Sequence, residues 1–299
     1  MTIYDSVSSN KRKTILVMFV FVAFVLLVSY ILSKALGGDG FSFAAIMLIF
    51  SGLYSFASYY YSDKLVLALS GAKPAKKNEY RNYYDIVENL SIGDGVPTPK
   101  IYVINDSAPN AFATGRDPKH AAICVTLGLL QKMNKVELEG VIAHELSHVK
   151  NYDTRLMGVV AILVGVLAML SNVFLRSMWW GGFRDRDSDR RDNTIFMVLA
   201  IVAAILSPIV ATLIQLAVSR RREYLADASG ALLTRYPEGL ASALEKIADD
   251  RNVMKEANLA TAHLYIENPF KQNYNKNWLL NLFSTHPPVE DRIKILRSM

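Results

Sequence analysis

The sequence predicts an α+β fold, mainly helical, in which four transmembrane helices interrupt one soluble domain built from discontinuous segments. Three observations carry this. Four long apolar runs, each about long enough for a bilayer crossing, divide the chain. Short β-type runs bounded by turn residues follow the second of them. The remaining stretches space their apolar residues as helices do. Of 299 residues, 52% are hydrophobic, above the roughly 45–50% of soluble domains. The excess is concentrated in the runs, which marks spans rather than a larger core.

The first run, Ile15 to Leu32, follows Lys11-Arg12-Lys13. It exceeds the ~7–15 residue apolar core of a signal peptide and no small-x-small cleavage site follows, so an uncleaved span is expected. The second, Phe41 to Tyr61, ends on Tyr59-Tyr60-Tyr61, an interfacial aromatic anchor, and Gly37-Gly38-Asp39-Gly40 joins the two. The third, Leu156 to Leu175, and the fourth, Thr194 to Val218, contain no ionisable residue, and Pro208 is expected to kink the fourth. The chain thus divides into a hairpin at 1–62, a first domain part at 63–155, a second hairpin at 156–218 and a second domain part at 219–299. The first part contains strand-like runs at Lys100–Ile104 and Ala121–Thr126 and a helix from about Lys135 to Asn151. The second reads as helices at Arg220–Thr234, Glu238–Asp249 and Pro288–Arg297.

The formal charge is +6. The basic residues crowd the ends of apolar runs, so they act as topology signals and no nucleic-acid partner is expected. Lys11 to Lys13, Lys64 to Lys77 and Arg220 to Arg222 fall on one side of four alternating spans, which is then the cytoplasmic side. The five arginines between Arg176 and Asn193 oppose this orientation and leave open whether the second hairpin inserts fully. Cys124 is the single cysteine, which excludes an intrachain disulfide and a cysteine metal cluster.

His144-Glu145-Leu146-Ser147-His148 has the pattern H-E-x-x-H. On a helix, residues four apart share a face, so both imidazoles can point at one ion while Glu145 reaches a water beside it. A catalytic zinc takes three protein ligands. Glu223 and Asp227, four apart on another expected helix, offer a third ligand and an acceptor that orients a ligand histidine; taken alone they are ordinary surface carboxylates. Topology joins the two motifs. His148 lies eight residues before the third run and Glu223 five after the fourth, so two antiparallel spans bring both helices to the same membrane face, within about 10–15 Å of it.

H-E-x-x-H followed by Asp153, two further spans, Glu-x-x-x-Asp, Asn110-Ala111-Phe112-Ala113 and Ser284-Thr285-His286-Pro287-Pro288 with Arg292 together resemble the HtpX family. These are membrane zinc metalloproteases of the gluzincin type, related to the Ste-type CAAX prenyl proteases. The resemblance implies one zinc per chain on His144, His148 and Glu223, with Glu145 as base and Asp153 and Asp227 as buttresses. It further implies that Asn110, Ala111, Phe112 and Ala113 form the edge strand to which substrate pairs, and that His286 steadies the oxyanion. On chemistry alone, His286 is equally a turn residue before Pro287-Pro288. The implied activity is that of an endopeptidase, integral to the bilayer, that removes damaged membrane proteins, in bacteria usually of the cytoplasmic membrane; the charge pattern above turns its active site to the cytoplasm.

Three other readings compete. A metal transporter would place ionisable residues within its spans, and the apolar runs have none. An intramembrane protease would carry its motif inside a span, whereas charged residues flank this one. A catalytically silent zinc-binding membrane scaffold or chaperone needs a distorted site, although the full set of ligands and base is present.

Overall fold

A computed structural model of the chain describes residues 3–35, 40–165, 220–255, 260–269 and 287–299. Two long helices open it, α1 (Ile3–Ala35) and α2 (Gly40–Leu69), packed against each other. The first apolar run lies inside α1 and the second inside α2. Their outer faces carry exposed apolar side chains, among them Ile15, Phe19, Phe41, Ile49, Phe50 and Leu53. Among the described residues no helix is long and apolar enough to cross a membrane. The third run is described only as far as residue 165, and the fourth lies outside the described residues.

A four-stranded sheet follows, in the order β1-β2-β4-β3. Strand β1 (Lys73–Pro74) pairs antiparallel with β2 (Lys100–Ile104). Strand β4 (Ala122–Thr126) runs parallel to β2, with Ile101 opposite Ile123 and Val103 opposite Val125. Strand β3 (Ala111–Thr114) is the edge, antiparallel to β4. Every residue of β3 and β4 is buried, which suits the uninterrupted apolar sequence of Ala122 to Val125. Between the strands lie α3 (Arg81–Asp94), which ends on Gly95 in the left-handed conformation, and a one-turn 3₁₀ helix at Pro118–His120. After β4 come α4 (Leu127–Lys132) and α5 (Lys135–Lys150).

Asn134 starts α5 with a reciprocal cap. Its Oδ1 accepts from Glu137 N at 3.0 Å, and its own N–H donates to the Glu137 carboxylate at 2.9 Å. From there α5 runs buried almost throughout and packs on α3, on β3 and on the helices at Arg220–Thr234 and Pro237–Asp249. Helix α6 occupies residues 153–165. Helices α7 (Arg220–Thr234), α8 (Pro237–Asp249) and α9 (Val289–Arg297) complete the described chain. The fold is mainly helical α+β with a small mixed sheet.

Among the described residues, two core clusters hold the fold together. One joins β4, α5 and α8 through Ile123, Val141, Ile142, Leu240 and Leu244. The other joins the hairpin to the domain: Val17, Phe21, Val66 and Leu67 meet Phe112, Leu156 and Met157. Fully burying one such side chain contributes about 1.5–3 kcal/mol. Tyr59 and Tyr60, expected as membrane-interface residues, stack on the guanidinium groups of Arg155 and Arg116, each at 5.3 Å. The end of α2 is therefore bound to the domain by cation–π contacts.

Candidate metal centre

Helix α5 places His144 and His148 one above the other, and α7 crosses beside them. The crossing is close because residue 230 is glycine. A Cβ there would lie 3.0 Å from the His144 backbone nitrogen. Asp227 and Glu223 stand three and seven residues before Gly230 on the same helix face, so both carboxylates reach the histidines.

The contacts are specific. His144 Nδ1 lies 2.9 Å from Asp227 Oδ1, and His148 Nδ1 lies 2.9 Å from Asp153 Oδ2. Each carboxylate holds the proton on Nδ1 and turns Nε2 inward as a lone pair. The two Nε2 atoms then face each other at 3.2 Å. Glu223 closes the triangle, with Oε1 3.5 Å from His148 Nε2 and Oε2 3.8 Å from His144 Nε2. All three residues are buried and their ligand atoms lie within 4.8 Å of one another. A tetrahedral ion with bonds of 2.0–2.1 Å sets its donors about 3.3 Å apart, so the donor set fits a zinc-sized cation.

Charge supports the same fit. Glu145, Asp153, Glu223 and Asp227 are each at most 2% exposed. Arg292, fully buried, lies against Glu223 and Asp227, and Arg222, largely buried, lies against Asp153. Lys13 also bears on Asp153, and the buried acidic groups at the centre favour a cation between them. Burial by itself lowers the pKa of His148. The Asp153 hydrogen bond and the Glu223 charge outweigh it and bring the value to about 9. Burial, with the charges of His148 and Arg292, lowers His144 against the raising contact of Asp227. A positive charge between the rings, proton or metal, is what this pocket favours.

Asp153 reaches His148 by a reversal at the end of α5. Tyr152 adopts φ 59°, the left-handed region that a non-glycine residue rarely enters. Lys11 lies over its ring at 4.6 Å and Arg155 at 4.8 Å. Glu145, beside the first histidine, is buried at 2% exposure, and its charge also bears on His148.

Arg292, part of the pattern that carries the resemblance but given no role there, is the buried cation of the centre. It is 0% exposed, donates twice to Asp227 (Nε to Oδ2, 2.8 Å; Nη2 to Oδ1, 2.6 Å) and lies 3.8 Å from Glu223 Oε2. Its only sequence signal was its position after the two prolines.

Asn110, Ala111, Phe112 and Ala113 do run into the sheet edge, but part of that edge is taken. The Asn110 carbonyl accepts from Thr126 N, so by antiparallel alternation Ala111 and Ala113 face outward. The Ala111 carbonyl accepts from Ile266 N at 2.9 Å, and Asn110 Nδ2 donates to the Glu267 carbonyl at 2.9 Å. Phe112 is a core residue, edge-on to Tyr265 at 5.1 Å. His286 lies outside the described residues. His263 is buried with Nε2 3.2 Å from the Met157 carbonyl.

Two histidines on one helix, a glutamate on a second and an acidic residue between the histidines define a centre of the metallopeptidase class. Comparison with known proteins agrees: residues 75–299 match the model of Peptidase family M48. "Protease HtpX homolog" of Caldanaerobacter subterraneus subsp. tengcongensis is 48% identical, covering 100% of this chain and 98% of that protein. Its counterpart in Dictyoglomus thermophilum is also 48% identical, over 100% of this chain and 95% of that one, and that of Lactobacillus helveticus is 44% identical over 99% and 100%. The crystal structure of S. mikatae Ste24p aligns with 98% of this chain and 67% of its own, at 18% identity and a TM-score of 0.49. The chain belongs to peptidase family M48 and, within it, to the HtpX-type metalloproteases.

Proposed function

We propose that the protein is a zinc-dependent integral membrane endopeptidase that cuts misfolded or damaged membrane proteins on the cytoplasmic side of the cell membrane. The convergence of His144 Nε2, His148 Nε2 and the Glu223 carboxylate, each imidazole backed by a carboxylate, carries this reading. Zinc held by these three residues would supply Lewis acidity toward a water and the scissile carbonyl. Glu145 takes the water's proton and delivers it to the leaving amide nitrogen. Asp153 and Asp227 keep the imidazoles oriented throughout. His286 is the proposed donor to the charge developing on the carbonyl oxygen. Substrate pairs along the outer edge of β3, where Ala113 is the outward position beyond the one Ile266 takes; recognition of backbone alone suits substrates of varied sequence.

Membrane residence is supported by the exposed apolar faces of α1 and α2 and by the four charge-poor runs. The basic end of α1, at Lys11 to Lys13, lies next to Asp153 and Tyr152, so the centre sits at the end of the hairpin that the positive-inside rule assigns to the cytoplasm.

Proteolysis of an unfolded protein in detergent, with chelator and with zinc added back, tests the reading beside Glu145→Gln. Cleavage stops with chelator and returns with zinc. Glu145→Gln retains zinc but loses at least about 10²–10⁴-fold in turnover. Cleavage that persists in chelator, or substantial turnover by the variant, overturns it.

A further inference from the structure

The hydrogen bonds around Asp153 lead to a residue far from both motifs and outside the span matched by the family model. Asn10, on α1, is 1% exposed. Its Nδ2 donates to Asp153 Oδ1 at 2.6 Å and to the Asn151 carbonyl at 3.0 Å. Its Oδ1 accepts from Arg222 Nη1 at 3.1 Å. Both amide hydrogens and the amide oxygen are thus engaged, which only a side chain with donor and acceptor on one plane achieves. The other oxygen of Asp153 faces His148 Nδ1. One buried carboxylate therefore joins α1 to a histidine of the H-E-x-x-H helix.

We propose that Asn10 is a positioning residue for the metal ligand His148, acting through Asp153. The N-terminal helix is then part of the metal centre and not only an anchor beside it. The proposal rests on the reading of His148 as a zinc ligand.

The physical argument concerns what Asp153 does when Asn10 is absent. Asp153 has His148 on Oδ2, and Asn10 and Arg222 on Oδ1; the Arg222 contact is the longer, at 3.3 Å. Without the amide, the carboxylate loses the shorter of its two Oδ1 contacts and can rotate toward Arg222. That rotation carries Oδ2 away from Nδ1 and frees the imidazole to turn. The residue is fixed in place from below, since Thr14 Oγ1 donates back to the Asn10 carbonyl at 2.9 Å, and beside it Lys11 lies over Tyr152. An anchor needs none of this. Apolar contact through Val17 and Phe21 already docks α1 on the domain.

Zinc affinity by chelator competition, on the full chain in detergent, tests it. Loss of groups that orient a ligand histidine typically costs about 10–100-fold in affinity. Asn10→Ala and the isosteric Asn10→Asp are each expected to weaken zinc at the lower end of that range, about 10-fold. Asn10→Asp preserves packing, so it tests the proposal even where Asn10→Ala does not fold. Val17→Ala, a core truncation on the same helix, lowers the melting temperature and leaves zinc affinity unchanged. In an Asp153→Ala background, Asn10→Ala has no further effect on affinity, because its route to His148 is gone; an effect that adds in full marks a purely structural role. Zinc affinity unaltered in Asn10→Ala and Asn10→Asp, while His148→Ala loses zinc, overturns the proposal alone. Zinc retained in His148→Ala overturns the underlying site.

Discussion

Arg292 and Asp227 form a two-point ion pair in the interior, with side chains 0% and 1% exposed. The same Asp227 carboxylate lies against His144 Nδ1, so the guanidinium on α9 fixes the acceptor that fixes the imidazole. Burial alone would raise the Asp227 carboxyl; the charge of Arg292 outweighs it and holds the value at about 2. Removing one partner of such a pair strands the other charge, which costs about 3–5 kcal/mol. Arg292→Ala is therefore expected to lower stability by that amount in detergent melts. Arg292→Lys keeps the charge but not the two-point geometry, and recovers only part. Stability of Arg292→Ala equal to the parent contradicts the pair's structural role.

Glu223 and Asp227 sit on the same helix face but do different work. Glu223 faces the convergence of nitrogens, whereas Asp227 is spent on His144 and Arg292. Glu223→Ala is expected to lose zinc far more severely than Asp227→Asn, for which about 10–100-fold applies. Calorimetric zinc titration decides it, and equal losses mean the third ligand is misassigned.

Glu137 supplies a pH dependence away from the metal. Burial raises its pKa, but Lys246 and Ser242, each at 2.7 Å, and the Asn134 N–H outweigh this and hold it below its ordinary value of 4.5. A depressed folded pKa gives stability that is present above the unfolded value and lost as pH falls through the folded one. Glu137→Gln is expected to be less stable than the parent near pH 7, with the gap closing as pH falls below 4.5. Denaturation across that range checks it; a gap that stays constant shows that the carboxylate charge contributes nothing.

The cytoplasmic placement is tested with single cysteines at Asn134 and at Asp249, after Cys124→Ala. Both are expected to resist an impermeant thiol reagent in intact cells and to react once the membrane is opened. Labelling of either from outside reverses the orientation, and with it the side on which substrates are cut.

Much of this was legible in the sequence because the signals were local. Strand β2 falls at the expected Lys100–Ile104, and α5, α7, α8 and α9 fall within two residues of their expected ends, since caps and apolar spacing are carried by neighbouring residues. Helix α3 carries such spacing too, at Tyr83, Ile86 and Val87. The convergence of His144, His148 and Glu223 was legible from H-E-x-x-H and the topology of the runs. The support around it was not. Asn10, Arg222 and Arg292 come from three helices, far apart in the chain, and nothing in their local sequence marks a buried polar contact. The edge strand was recognised through resemblance alone, and no local pattern indicated that Ile266 and Glu267 would lie along it.

X-ray absorption at the zinc edge, on Glu145→Gln protein loaded with zinc, tests the central claim most directly. The account predicts a shell of nitrogen and oxygen donors at about 2.0–2.2 Å with two imidazoles. His148→Ala in the same background should lose one imidazole, or the metal altogether. A sulfur donor near 2.3 Å, or a spectrum unchanged by His148→Ala, contradicts it.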